Sequence, residues 1–238
     1  FVQAGLTIED SQKRTELAIT ATQVSTLSAA DATEFFLAVT QQFGVAADDL
    51  ATTLDALVKV EDVAAVEARD IAEAFSTGGN AFAFFGKNVN DAIGIITALR
   101  EQTRKSGSEI GTFFKSFAPR VFAAGPARDA VEALGVSVEN LDGSLRPALS
   151  VINDLSVAFG RLTESQAADS AKVIAGIRQY ETFEALLVSN ARANDIVAKA
   201  NTAAGTAAQK RLITDEKLDR QIGRLIAQGQ TLAESLGD

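Results

Sequence analysis

The chain has 238 residues, with 22 Lys and Arg against 31 Asp and Glu and a net charge of −9, enough for one large domain or a domain with an extension. It contains no Cys, His or Met, which removes disulfides, thiolate nucleophiles, most transition-metal sites and the commonest general base, leaving only carboxylate sites for magnesium or calcium. The acidic balance argues against specific nucleic-acid binding, because that binding draws on Lys and Arg to displace counterions from phosphates.

Strong helix formers dominate, there are three Pro, and evenly spaced β-rich runs are almost absent, so the expected fold class is all-α. Helices are predicted over 7–25, 28–43, 46–60, 63–76, 88–104, 108–117, 126–134, 147–160 and 163–175. A further helical stretch is expected over 178–204 and 206–236, broken or kinked at Gly205. Thr7 with Asp10, Ser28 with Asp31 and Thr163 with Gln166 have capping-box spacing, although Asp is shorter than the Gln or Glu of a full box. Gly5, Gly44 and Gly135 each precede an apolar residue and then acidic or amide residues, as expected where one helix stops and the next begins. Leu50, Leu54, Leu57 and Val58 fit one helix face, as do Ala148, Val151, Ile152, Leu155 and Phe159.

Eight of the fourteen Phe fall within 75–122: Phe75, Phe82, Phe84, Phe85, Phe113, Phe114, Phe117 and Phe122. Burying each is worth about 1.5–3 kcal/mol, which favours a shared aromatic core. With Lys105, Lys115 and Arg120 beside the second group, a partner or lipid surface is the alternative. Uncharged runs such as 74–86 are well short of the roughly 20 apolar residues needed to span a bilayer. Gly78-Gly79 lacks the Gly-Lys-Ser/Thr of a phosphate loop and reads as a helix break. The acidic pairs Asp48-Asp49 and Glu61-Asp62 are adjacent on a helix and do not face each other, so neither is a ready dyad. No nucleophile elbow occurs either, and the expectation is a protein that is not an enzyme and carries no cofactor.

The stretch from Gly125 to Leu187 holds the most unusual feature. A helix stops at Gly135, Val136 and Val138 alternate with polar residues, Asp142-Gly143 is a strong two-residue turn signal, and Pro147 suits the first turn of the next helix. One short extended or hairpin excursion is therefore expected near 136–146. LGVSVENLDGSLRPALSVINDLSVAF, followed by GIRQYETFEALL, resembles the core region of phage tail tape measure proteins. The resemblance rests on Gly135, Val138, Asn140, Gly143, Arg146, Pro147, Gly176, Arg178 and Ala185 to Leu187. It is clear over 125–187 and looser from Gly5 onward. There the segments GLTIED, LSAADATEFF and FGVAADDL match the family's paired helices, and SEIGTFF at 108–114 sits where the family has a Gly-centred turn.

The resemblance implies a virion structural protein that sets tail length, organises tube assembly and is ejected ahead of DNA. It implies several copies in the tube lumen or at the tail tip, as a trimer or hexamer, and assembly in the host cytoplasm. Partners on this reading are tail-tube and tail-tip or baseplate proteins and tail assembly chaperones. A membrane-active module inserting the Phe-rich segment, with transient host-membrane contact, is the alternative. A cell-wall hydrolase, as some tape measures carry elsewhere, lacks its His, Cys or metal signatures here. The chain begins at Phe1 and not Met, as expected of an internal or processed fragment. Domains are expected at 1–187, a helical core-like domain, and 188–238, a helical extension. In the extension Leu218, Ile222, Leu225, Gly229, Leu232 and Leu236 are spaced four and three apart. That pattern fits a coiled-coil seam for self-association or one helix of an intramolecular hairpin.

Overall fold

The computed structural model describes residues 7–85 and 88–236, with side chains except at 83, 85, 225 and 227–236. Among the described residues twelve α-helices follow one another: α1 (Ile8–Val24), α2 (Ala29–Phe43), α3 (Leu50–Val63), α4 (Ala68–Gly78), α5 (Val89–Thr103), α6 (Gly107–Phe122), α7 (Pro126–Ala133), α8 (Ala148–Phe159), α9 (Glu164–Ala175), α10 (Tyr180–Val188), α11 (Asn190–Asn201) and α12 (Thr206–Leu236). The only extended pairing among them is an antiparallel bridge between Glu139 and Leu145. The all-α class and the single excursion near 136–146 follow the sequence.

Local chemistry sets several helix starts. Ser28 with Asp31, and Thr163 with Gln166, form reciprocal capping boxes, and Thr7 accepts from the Asp10 amide at 3.1 Å. A further box, Ser106 with Glu109, starts α6; its spacing is in the sequence, and it places the start one residue before the expected 108. Gly44 closes α2 in the left-handed conformation, whereas Gly5 lies outside the described residues. The helix expected from 63 begins only at Ala68. Glu101 and Glu61 on neighbouring elements accept from the Ala65 and Ala68 amides, at 3.1 and 3.2 Å, and hold 64–67 as a turn.

Two expectations fail inside helices. α6 runs through Pro119 to Phe122, because Phe117, Ala118, Val121 and Phe122 are buried; that burial outweighs the one backbone hydrogen bond Pro removes. Gly111, expected at a turn, stands in the middle of α6. A Cβ there would meet the Ala74 carbonyl oxygen at 2.6 Å, so glycine is what lets α4 and α6 pack backbone to backbone. The stretch 178–204 also divides, at Ser189, into α10 and α11.

The Phe-rich stretch is core. Phe75, Phe82, Phe113, Phe114, Phe117 and Phe122 are buried, and Phe84 stacks on Phe122 with centroids 5.2 Å apart; the side chain of Phe85 lies outside the described residues. Ring contacts at centroid distances of 4.9–5.4 Å run from Phe35 through Phe75, Phe82, Phe114, Phe113, Phe117 and Phe183 to Phe159. Burial continues past Leu187: Ala193, Ile196, Val197 and Ala200 of α11 are buried, as are Ala203 and Ala207. Arg192 clamps α11 to α5 through two bonds to the Glu101 carboxylate, at 2.7 and 3.0 Å. That guanidinium is the main reason the Glu101 carboxyl lies below its ordinary value.

Candidate functional site

Three regions carry the residues singled out in the sequence. The first is the hairpin between α7 and α8. Gly135 takes φ +81° and turns the chain out of α7. Val136 and Val138 then point inward and are buried, which roots the hairpin in the core. At its tip the Gly143 amide donates to the Asn140 carbonyl (3.0 Å), the Asn140 amide to the Ser144 carbonyl (2.8 Å) and the Arg146 amide to the Val138 carbonyl (2.9 Å). Side chains lock the same turn: Asn140 Nδ2 donates to Ser144 Oγ at 2.9 Å, and Ser144 donates to Asp142 Oδ1 from its hydroxyl (2.6 Å) and its amide (3.0 Å). Those two donors, the hydroxyl first, lower the Asp142 pKa.

The base of the hairpin is pinned from both flanking helices. Arg146 donates to the Ser137 carbonyl and to Asp154 of α8, each at 2.7 Å. Arg128 of α7 lies 2.9 Å from Glu132 and 2.8 Å from Glu139, and these carboxylates raise its pKa. Pro147 acts one position earlier than expected: it is the N-cap of α8, and its carbonyl accepts from the Ser150 and Val151 amides. Gly135, Val138, Asn140, Gly143, Arg146 and Pro147 are thus one structural unit. Its tip presents Leu141 fully to solvent.

Gly176 and Arg178 stand apart from that unit, in the turn between α9 and α10. Gly176 (φ +85°) closes α9 beneath the Arg120 guanidinium. Arg120 donates to the Ile174 and Val173 carbonyls at 3.2 and 3.0 Å, satisfying the end of α9 from α6. Arg178 is exposed in the turn. The hairpin residues and the Gly176–Arg178 turn therefore serve two separate helix junctions, while Ala185 to Leu187 lie within α10.

The third region is α12. Leu218 and Ile222 of the expected seam are exposed, at 54% and 47%, as are Leu212 and Ile226. Among the described residues nothing packs over Leu218 or Ile222. The side chains of Leu225, Leu232 and Leu236 lie outside the described residues. Among the described side chains of α12, burial is confined to its root at 206–210, and the helix packs against α3 and α1. Gly205 takes φ +80° between α11 and α12. Asp55 of α3 then caps α12, accepting from the Gly205 amide through Oδ2 and from the Ala207 amide through Oδ1, both at 2.8 Å. One turn on, Lys210 lies 2.8 Å from Asp62 and 3.9 Å from Glu61. Glu61 Oε1 also accepts from the amides of Thr26 and Ala68, tying the α1–α2 and α3–α4 turns to the same place. Asp55 was unmarked in the sequence: its partners lie 150 and 152 residues away, and no local pattern encodes them.

Among the described residues no three acidic side chains gather as a metal site, and no helix is long and apolar enough to cross a membrane. The family model described as phage-related minor tail protein matches residues 1–176, from before α1 to the end of α9. No solved structure matches the chain.

Proposed function

The chain belongs to the phage-related minor tail protein family, a structural family of the virion tail, and from that premise we propose that it is the folded region of a tail tape measure together with the start of its helical ruler. The observation that carries this reading is α12. A 31-residue helix leaves a packed helical body and exposes apolar side chains at Leu212, Ile213, Leu218, Ile222 and Ile226, which nothing among the described residues covers. At 1.5 Å per residue it spans on the order of 45 Å. A contiguous helix converts residue count into length, which is the physical requirement for a ruler. The likeness of 125–187 to tape measure cores supports the same assignment.

On this reading the body docks or plugs, and α12 associates with further copies, as a trimer or hexamer, through the seam of Leu218, Ile222, Leu225, Leu232 and Leu236. Tube subunits polymerise around the copies in the lumen, tail-tip or baseplate proteins hold one end, and assembly chaperones cover the exposed apolar side chains beforehand, in the host cytoplasm. The role is structural and not enzymatic. It involves no specific nucleic-acid contact, and an acidic surface keeps passing DNA from sticking.

The test removes 213–233 from α12 within the intact phage gene and measures tails by electron microscopy. Tails shorter by about 30 Å are expected from the helical rise; an unchanged length overturns the ruler assignment.

A further inference from the structure

The hairpin tip at Leu141 and the groove beside Val188, between α8 and α10, expose apolar side chains, but nothing in the structure shows what covers them. The root of α12 is different, because both halves of its contact belong to this chain. We propose that it is a latched hinge: residues 202–205 are the pivot, and Asp55, with Lys210 held by Asp62 and Glu61, is the latch that sets the direction in which the long helix leaves the body. This goes beyond the tail role and does not depend on it.

The pivot lies between two fixed points. Upstream, the end of α11 is tied to α5 by Asn90 Nδ2 donating to Asn201 Oδ1 at 2.8 Å. Downstream, the Asp55 carboxylate takes two of the first free amides of α12. Between them Thr202 ends the helix (φ −106°, ψ 18°), Ala204 is exposed, and Gly205 needs the left-handed backbone that glycine adopts freely.

A helix start presents unpartnered N–H groups and the positive end of the helix dipole. A carboxylate bound to two of them forms charge-assisted hydrogen bonds, the stronger kind. Only about the first turn and a half of α12 is held this way. Leu212, Ile213, Leu218, Ile222 and Ile226 face solvent, so the helix beyond the root is a lever on it. Lys210 borders a cleft of about 680 Å³ lined also by Glu61, Glu67, Asp70 and Arg100. Water can therefore take the place of the Lys210 pair when the root lifts. Losing the cap shifts the balance from latched to released by on the order of tenfold.

The absence of native Cys makes the test direct. Cysteines at Ala30 on α2 and Gln221 on α12, both exposed, carry spin labels in the full 238-residue chain. The labelled chain is diluted with unlabelled protein, so that distances within one copy are read by pulsed electron resonance. The expected result is one narrow distance for the parent and a broad or second, shifted population for Asp55→Ala, with Asp55→Asn between them, at unchanged helix content. A narrow, unchanged distance in a folded Asp55→Ala chain overturns the latch, as does a parent that is already broad. If Asp55→Ala does not fold, Lys210→Ala, which alters an exposed pair, decides in the same way: broadening supports the latch and an unchanged distribution overturns it.

Discussion

Asp91 stands in the first turn of α5, buried, with its carboxylate accepting from Asn88 Nδ2 at 2.7 Å. Burial pushes its pKa up to about 6 from 3.8. The folded chain thus holds this proton more tightly than the unfolded chain does. The stability it contributes is fully present below about pH 4 and is lost as pH rises through about 6. At neutral pH the ionised group costs stability. Asp91→Asn should therefore raise the melting temperature by several degrees at pH 7.5, with the gain fading toward pH 4. Thermal melts followed by circular dichroism across that range check it; a pH-independent gain would discard this account. Two helical glycines should respond to Ala with opposite signs. Gly111→Ala drives a methyl into the Ala74 carbonyl and should cost about 1–3 kcal/mol through overpacking. Gly223 of α12 has open space around it, so Gly223→Ala should add about 1 kcal/mol of helix stability, read as higher helicity with the body's melt unchanged.

At the scale of elements, what is local in the chain was legible and what is distant was not. Capping boxes, left-handed glycines and the Asp142-Gly143 turn act within a few residues, so the excursion at 136–146 and most helix boundaries could be read from the sequence. The run through Pro119 could not, because the buried faces of Phe117 and Val121 are supplied by other helices. The division at Ser189 escaped for a similar reason: α10 packs most closely on α9 and α11 on α5 and α3, and no Gly or Pro marks the break. Asp55 is the extreme case, a solvated-looking residue whose role exists only once α3 and α12 meet. Gly176 and Arg178, read together with the hairpin residues, turn out to belong to a junction of their own. We place the end of the folded unit near Ala207, and truncation tests it. A chain ending at residue 212 should melt like the full chain. One ending at 188 loses Ile196 and Val197 from α5 and should not melt cooperatively; equal melts for the two would move the boundary back toward Leu187.

At the scale of the whole molecule, the body and the long helix answer to different physics. The body is stable through burial, and α12 beyond its root depends on what lies alongside it, since an isolated helix in water is marginal. That division suits a tail component that must exist both before and after its surroundings assemble. The line of aromatic rings from Phe35 to Phe159 has one more consequence. It passes from α2 and α4 through Phe82 in the 79–85 segment to α6, α10 and the half-buried Phe159 of α8, so these helices are expected to melt together. Scanning calorimetry should accordingly show one endotherm for the body, with van't Hoff and calorimetric enthalpies equal. The rings act as a stitched seam of cooperativity, making an assembly of many short helices yield as one piece.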